Sequence, residues 1–220
     1  MEKPWNIEIS DVQMPKPKEG EALLRVKSAG ICGSDIGAFR GTNGLVSYPR
    51  IIGHEIAGEV ISIPENNKNG IKPGDRVIVP INPLHVKGMY CGHCYRCSIG
   101  RTNCCVDLKV LGVHVDGGMA EYFCHPADML LKVPDDMPWD IIPLAEPLTI
   151  ALHGIHRLNL KAGEHIAING AGPIGLLAAM VALHYGAEPI MIDLVKERLD
   201  FAKSLGVRYT INLREEDLLE

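Results

Sequence analysis

Up to about residue 145 the chain sets short apolar runs between breaks rich in Gly and Pro. Segments 21–29, 56–63, 75–80, 119–125 and 129–133 each read as a strand, and Lys72-Pro73-Gly74-Asp75 reads as the turn ahead of the third. Strands joined by turns, with no long helical period between them, predict a β-barrel-like domain. Beyond residue 145 the period lengthens. Segment 143–158 has helical spacing and reads as a hinge, followed by a buried strand at 165–169 and an apolar helix over 172–186 ended by its glycine. A strand at 189–193, a helix at 195–205 capped by Gly206, a strand at 207–211 and a helix start at 213–220 complete the pattern. That order is βαβαβ, one mononucleotide-binding half of a doubly wound parallel sheet. The expected division is therefore a β domain at 1–145 and an α/β unit at 146–220.

Composition narrows the class. The 220 residues are 46% hydrophobic and 22% charged, enough apolar content for a sizeable core and too much for a disordered chain. A net charge of −5 without a basic run argues against nucleic acid as partner. The most apolar stretch, 172–183, is short of the ~20 residues a membrane-spanning helix needs. Residues 1–10 lack the apolar core of a secretory signal, and five of seven cysteines crowd between Cys91 and Cys105. Clustered cysteines without a secretion signal read as reduced metal ligands, so a cytoplasmic location is expected.

Three constellations carry chemistry. The first is Cys91-x2-Cys94-x2-Cys97-x7-Cys105, in which short spacings let a loop wrap one ion with four thiolates. Cys104 offers a competing x6 spacing for the fourth ligand. A closed set of four thiolates leaves no open position, so it predicts a structural zinc. The second is dispersed: Cys32-Gly33-Ser34-Asp35, Gly53-His54-Glu55 and Glu146-Pro147. Together they offer sulfur, nitrogen and oxygen donors, the set catalytic zinc uses while keeping one position for substrate. Asp35 is placed to orient the His54 ring. The third is Gly170-Ala171-Gly172-Pro173-Ile174-Gly175 between a strand and a helix, with Asp193 ending the next strand. There a helix N-terminus receives a pyrophosphate and the carboxylate accepts a ribose 2′-hydroxyl, which favours NAD over NADP. The remaining histidines, at 85, 93, 114, 125, 153, 156, 165 and 184, read as ordinary surface or core residues.

In this order the segments AGICGSD, SYPRIIGHEIAGEV, CGHCYRCSIGRTNCC, LGVHVDGGMAEY, AEPL and INGAGPIG resemble the zinc-dependent medium-chain alcohol dehydrogenase family, closest to its polyol, sugar-acid and threonine dehydrogenase branches. The resemblance runs from about residue 19 to 220. It implies a GroES-like β-barrel catalytic domain followed by a truncated Rossmann-fold coenzyme domain, one catalytic and one structural zinc, and NAD. By position it implies Cys32 and His54 as catalytic-zinc ligands, with Glu55 or Glu146 as the carboxylate. It implies Cys91, Cys94, Cys97 and Cys105 at the structural zinc, and Ser34 as the hydroxyl that carries the alcohol proton towards solvent. Gly170, Gly172, Ile174, Gly175, Asp193 and Arg198 match NAD-contacting positions, with Arg198 over the adenine. The implied reaction oxidises a secondary alcohol, such as a polyol or sugar acid, by hydride transfer to NAD, in an enzyme whose full-length form is a homo-oligomer.

Two departures stand out: Gly37 replaces a histidine that relatives often use in a proton relay, and Met119 stands where many have an aromatic residue. The resemblance also implies a second βαβαβ half and a return to the catalytic domain, neither of which lies within the 220 residues. Open apolar edges, poor stability or association with another chain are therefore expected. The competing reading is a catalytically inactive zinc-binding fragment of such an enzyme.

Overall fold

The computed structural model describes residues 1–81 and 90–216. His85 and the last four residues of the helix start at 213–220 lie outside that range. The chain divides into two compact units, Met1–Ala145 and Glu146–Glu220.

The first unit is built on an antiparallel sheet of five strands. These are β1 (Glu21–Gly30), β2 (Glu55–Ser62), β3 (Arg76–Val79), β4 (Tyr122–Pro126) and β5 (Leu131–Lys132), in the order β4-β1-β2-β3-β5. The central strand β2 is nearly continuously buried because both its faces are covered. Ile56 and Val60 pack with Leu24, Val77, Val79, Phe123 and Leu130, while Ala57 packs with Ile78 and Ile142 on the other side. Three strands are shorter than their apolar runs predict, β3 by one residue at each end. Residues 127–129 form a 3₁₀ turn ahead of β5, and Met119 lies outside β4 because its backbone N–H is given to the Ile52 carbonyl. Helices α1 (Gly33–Arg40) and α2 (Tyr95–Ser98) complete the regular elements described in this unit before residue 142 apart from short 3₁₀ turns.

The second unit starts in α3 (Ala145–Leu158) and continues through β6 (His165–Asn169), α4 (Pro173–His184), β7 (Glu188–Asp193), α5 (Lys196–Ser204) and β8 (Tyr209–Asn212). Its three strands are parallel in the order β6-β7-β8. Ile168 and Met191 of the sheet pack against Ala179 of α4 and against Leu199 and Ala202 of α5. The third strand begins two residues later than the apolar run suggests, because Val207 is spent in the core beneath α5. Residues 213–215 form a turn. None of the described helices is long and apolar enough to cross a membrane.

Candidate metal and dinucleotide sites

The β1–β2 register builds the first site. Gly30 pairs with Glu55, which puts the chain leaving β1 beside the chain entering β2. Cys32 follows the one, and His54-Glu55 opens the other. The Cys32 Sγ, one His54 ring nitrogen and one Glu55 carboxylate oxygen lie within 4.8 Å of one another. His54 and Glu55 are buried and Cys32 is half-buried.

Asp35, in the first turn of α1, ties this corner together. Its Oδ2 accepts the Cys32 backbone N–H at 2.9 Å, and its Oδ1 faces His54 Nδ1 at 3.8 Å. A hydrogen bond with His54 lowers the Cys32 thiol below its usual pKa against the opposing effect of burial, and the Ser34 hydroxyl and N–H lower it further. Burial pushes the Glu55 carboxyl up, and the Asp35 charge adds to that push against His54 and Cys32. A soft sulfur, an imidazole and a carboxylate in a mostly dry corner make a donor set that suits zinc.

A neighbouring loop braces His54 from behind. Gly117, Gly118 and Met119 give their backbone N–H groups to the carbonyls of Ile51, Gly53 and Ile52 at 2.7, 3.0 and 3.0 Å. A Cβ on Gly117 would meet the Gly53 carbonyl oxygen at 2.1 Å, so the two backbones touch only because residue 117 is glycine. Met119 packs with Ile52, Phe39 and Tyr48, a core role. Glu146 belongs to the second unit, buried in the first turn of α3 with Thr149 Oγ1 donating to its carbonyl oxygen. The three-donor group lies wholly within the first unit without it.

The second cluster is made by Cys91, Cys94, Cys97 and Cys105, whose sulfurs all lie within 4.8 Å of one another. Cys94 and Cys97 Sγ are 3.5 Å apart, and Cys91 and Cys97 Sγ are 3.9 Å apart. Four thiolates about 2.3 Å from a tetrahedral zinc stand about 3.8 Å apart, so these separations fit the ion. Backbone N–H groups of Cys91 and Asp107 point at Cys105 Sγ, and that of Cys94 at Cys91 Sγ. The N–H groups of Cys97 and Val106 lower Cys94 to about 6, while burial and the adjacent sulfurs push Cys97 up to about 12. Cys104, the competing fourth ligand, is exposed and is not a member of the group.

The dinucleotide motif lies in the turn between β6 and α4. Gly170 has a left-handed φ of 100°, Gly172 caps α4, and Pro173 opens the helix. A Cβ on Gly175 would lie 1.8 Å from the Gly170 carbonyl oxygen, so the third glycine lets the helix approach the turn. Ile174 is exposed beside it. Asp193 ends β7 nearly buried, its Oδ2 accepting the Ala171 N–H at 2.7 Å and its Oδ1 the Val195 N–H at 2.8 Å. Burial acts to raise this carboxyl, but those donors, the Leu194 N–H and the Arg198 charge outweigh it and hold the group below the usual range. Arg198 Nη1 lies 3.9 Å from Asp193 Oδ2.

Sequence reasoning overlooked Gly30 and the 112–118 brace, because their importance lies in which backbone they touch. His114 Nδ1 accepts the Val110 N–H, His156 Nε2 pairs with the Tyr185 hydroxyl, and His93 Nδ1 pairs with the Cys91 carbonyl oxygen. These are local roles.

Residues 18–135 match the family model of the alcohol dehydrogenase GroES-like domain, and residues 173–220 match that of the zinc-binding dehydrogenases. The chain is 56% identical over 217 residues to a Haemophilus influenzae protein described as an uncharacterized zinc-type alcohol dehydrogenase-like protein, covering 99% of this chain and 62% of that one. It is 37% identical to the sorbitol dehydrogenase of Bacillus subtilis, covering 97% of this chain and 60% of that one. A solved structure from Escherichia coli CFT073, described as a short chain alcohol dehydrogenase complexed with NADH, superposes with a TM-score of 0.85 at 38% identity, covering 99% of this chain and 62% of that one. The chain thus spans about three-fifths of the length of these relatives. The sheets, the two thiolate-bearing clusters and these matches agree: the chain belongs to the zinc-dependent medium-chain alcohol dehydrogenase family, as a GroES-like domain followed by part of a Rossmann fold.

Proposed function

We propose that this chain supplies the zinc-binding catalytic part, residues 1–145, and the adenosine-binding half of the coenzyme domain, residues 146–220, of a dehydrogenase that oxidises a secondary alcohol with NAD. The observation that carries this reading is the convergence of Cys32, His54 and Glu55 on one small volume. Those three would hold the catalytic zinc, and Cys91, Cys94, Cys97 and Cys105 would hold the structural one. Zinc supplies a Lewis acid for the substrate hydroxyl, and NAD supplies the hydride acceptor.

The chain's own residues supply position and a proton path. Asp35 fixes the Cys32 backbone and faces the His54 ring, so both donors are preset. Ser34 is half-buried with its hydroxyl on the Cys32 sulfur, one step from where an alcohol would bind. Its Oγ takes the substrate proton as its own hydroxyl proton passes to water, since Gly37 offers no imidazole for a longer relay. On the coenzyme side, Gly170, Gly172 and Gly175 open the α4 N-terminus to a pyrophosphate, with Ile174 and Arg198 flanking the nucleotide. The Asp193 carboxylate favours a ribose 2′-hydroxyl and repels a 2′-phosphate, which selects NAD. The B. subtilis sorbitol dehydrogenase supports a polyol as substrate. The partner is a small alcohol, with a homo-oligomer as the assembly of the longer enzyme. Seven free cysteines fit a reducing compartment, the cytoplasm.

The test is an assay of the zinc-loaded chain, alone and extended to the length of its relatives, against a panel of polyols with NAD and NADP. NAD-dependent oxidation that disappears in Cys32→Ser supports the reading. Zinc and NAD binding without turnover at either length would instead support the inactive zinc-binding fragment.

A further inference from the structure

Strand β1 ends at Gly30, and the antiparallel register sets it directly opposite Glu55, the first residue of β2. Residues so paired normally stand their side chains next to each other on one face of the sheet. Here one side chain takes both places. A Cβ built on Gly30 would lie 1.9 Å from Glu55 Oε2 and 3.0 Å from both Glu55 Cβ and Cδ. Ordinary contact is about 3.5–4.0 Å, so the carboxylate fills the space that a side chain at residue 30 would use. Gly30 does not have a left-handed backbone, so its conformation would admit alanine. The three atoms nearest to such a Cβ all belong to the Glu55 side chain, and the carboxylate oxygen is much the closest.

We propose that Gly30 is a positioning residue of the metal site: its missing side chain seats the Glu55 carboxylate beside Cys32 and His54. This rests on the reading of Cys32, His54 and Glu55 as a zinc site. The chain runs directly from Gly30 to Cys32, so one short segment presents the thiolate and leaves the niche for the carboxylate. A methyl at residue 30 makes Glu55 Oε2 retreat by roughly 1.5 Å to regain ordinary contact, and the oxygen donor leaves its place in the group.

The test uses the whole chain and zinc itself. Affinity is measured by chelator competition, the Cys32 site being defined as the zinc lost in Cys32→Ser, and cobalt(II) substitution reads the Cys32 thiolate band. Gly30→Ala is expected to weaken zinc at that site roughly 10–100-fold and to shift the cobalt band. In a Glu55→Gly background, which removes all three of the atoms nearest to that methyl, adding Gly30→Ala is expected to weaken it no further, a result that general damage to the strand would not give. Parent-like affinity in Gly30→Ala, or an equal loss in both backgrounds, overturns the proposal while leaving the metal site standing. Absence of Cys32-dependent zinc from the parent protein overturns the metal-site reading and this proposal with it.

Discussion

His125 shows how much one buried side chain can impose. It is fully enclosed in β4, its ring stacks on Phe123, and its Nε2 has no hydrogen-bond partner among the described residues. Burial lowers its pKa from 6.5 to about 3, opposed only by a hydrogen bond with the Pro80 backbone. Above pH 6.5 the ring is neutral in both folded and unfolded chains and has no effect on the pH dependence. As pH falls from 6.5 towards 3 the unfolded chain takes up a proton that the folded one refuses, so stability declines by up to about 1.4 kcal/mol per pH unit. His125→Phe is expected to flatten this part of the acid limb, read from urea unfolding between pH 6 and 4. An unchanged slope would contradict the assignment. The sequence shows His125 only as one histidine without a nearby donor, because its burial depends on the pairing of β4 with β1. The four clustered cysteines are different, since their spacing is local and their common donor set can be read without a fold. Cys32 and His54 are joined by strand register, so the sequence offers them only as members of a dispersed donor set, which the family resemblance sharpens into a pair.

Among elements, the contact between the 112–119 loop and residues 51–53 holds the backbone that leads into His54. Three backbone hydrogen bonds and the bare Cα of Gly117 form it. Gly117→Ala would drive a methyl into the Gly53 carbonyl and is expected to destabilise the first unit by about 1–3 kcal/mol. Zinc at Cys32 and His54 should weaken with it. Thermal unfolding and metal retention check both effects, and a fully stable variant with parent-like zinc would show that the loop yields freely. In the second unit, Gly175→Ala pushes α4 away from the Gly170 turn and is expected to weaken NADH binding, measured by fluorescence titration, without moving zinc content. Strand existence and order of type were legible from apolar periodicity. Strand ends were not, because Met119 and Val207 are apolar residues used for a loop contact and a core cluster.

At the scale of the molecule, two units carry separate cores. Leu24, Ile56 and Leu130 belong to one, and Ile168, Met191 and Leu199 to the other. The change from turn-punctuated strands to βαβαβ marked this difference in the sequence, since parallel strands need helical crossovers and antiparallel ones do not. Separate cores give separable failures. Cys91→Ser removes a donor from the four-sulfur cluster and is expected to destabilise the first unit strongly, because zinc bound there would contribute folding free energy. NADH titration of the second unit should change little in the same variant. Joint loss of both would mean that the cores are not independent.

The two donor groups predict two distinct zinc sites on this chain, one of which depends on Cys32. Zinc content of the purified chain, measured beside that of Cys32→Ser, tests this expectation most directly. About two zinc ions per parent chain and about one per Cys32→Ser chain are expected from the two donor groups. One zinc in the parent, or a content that Cys32→Ser leaves unchanged, would contradict it.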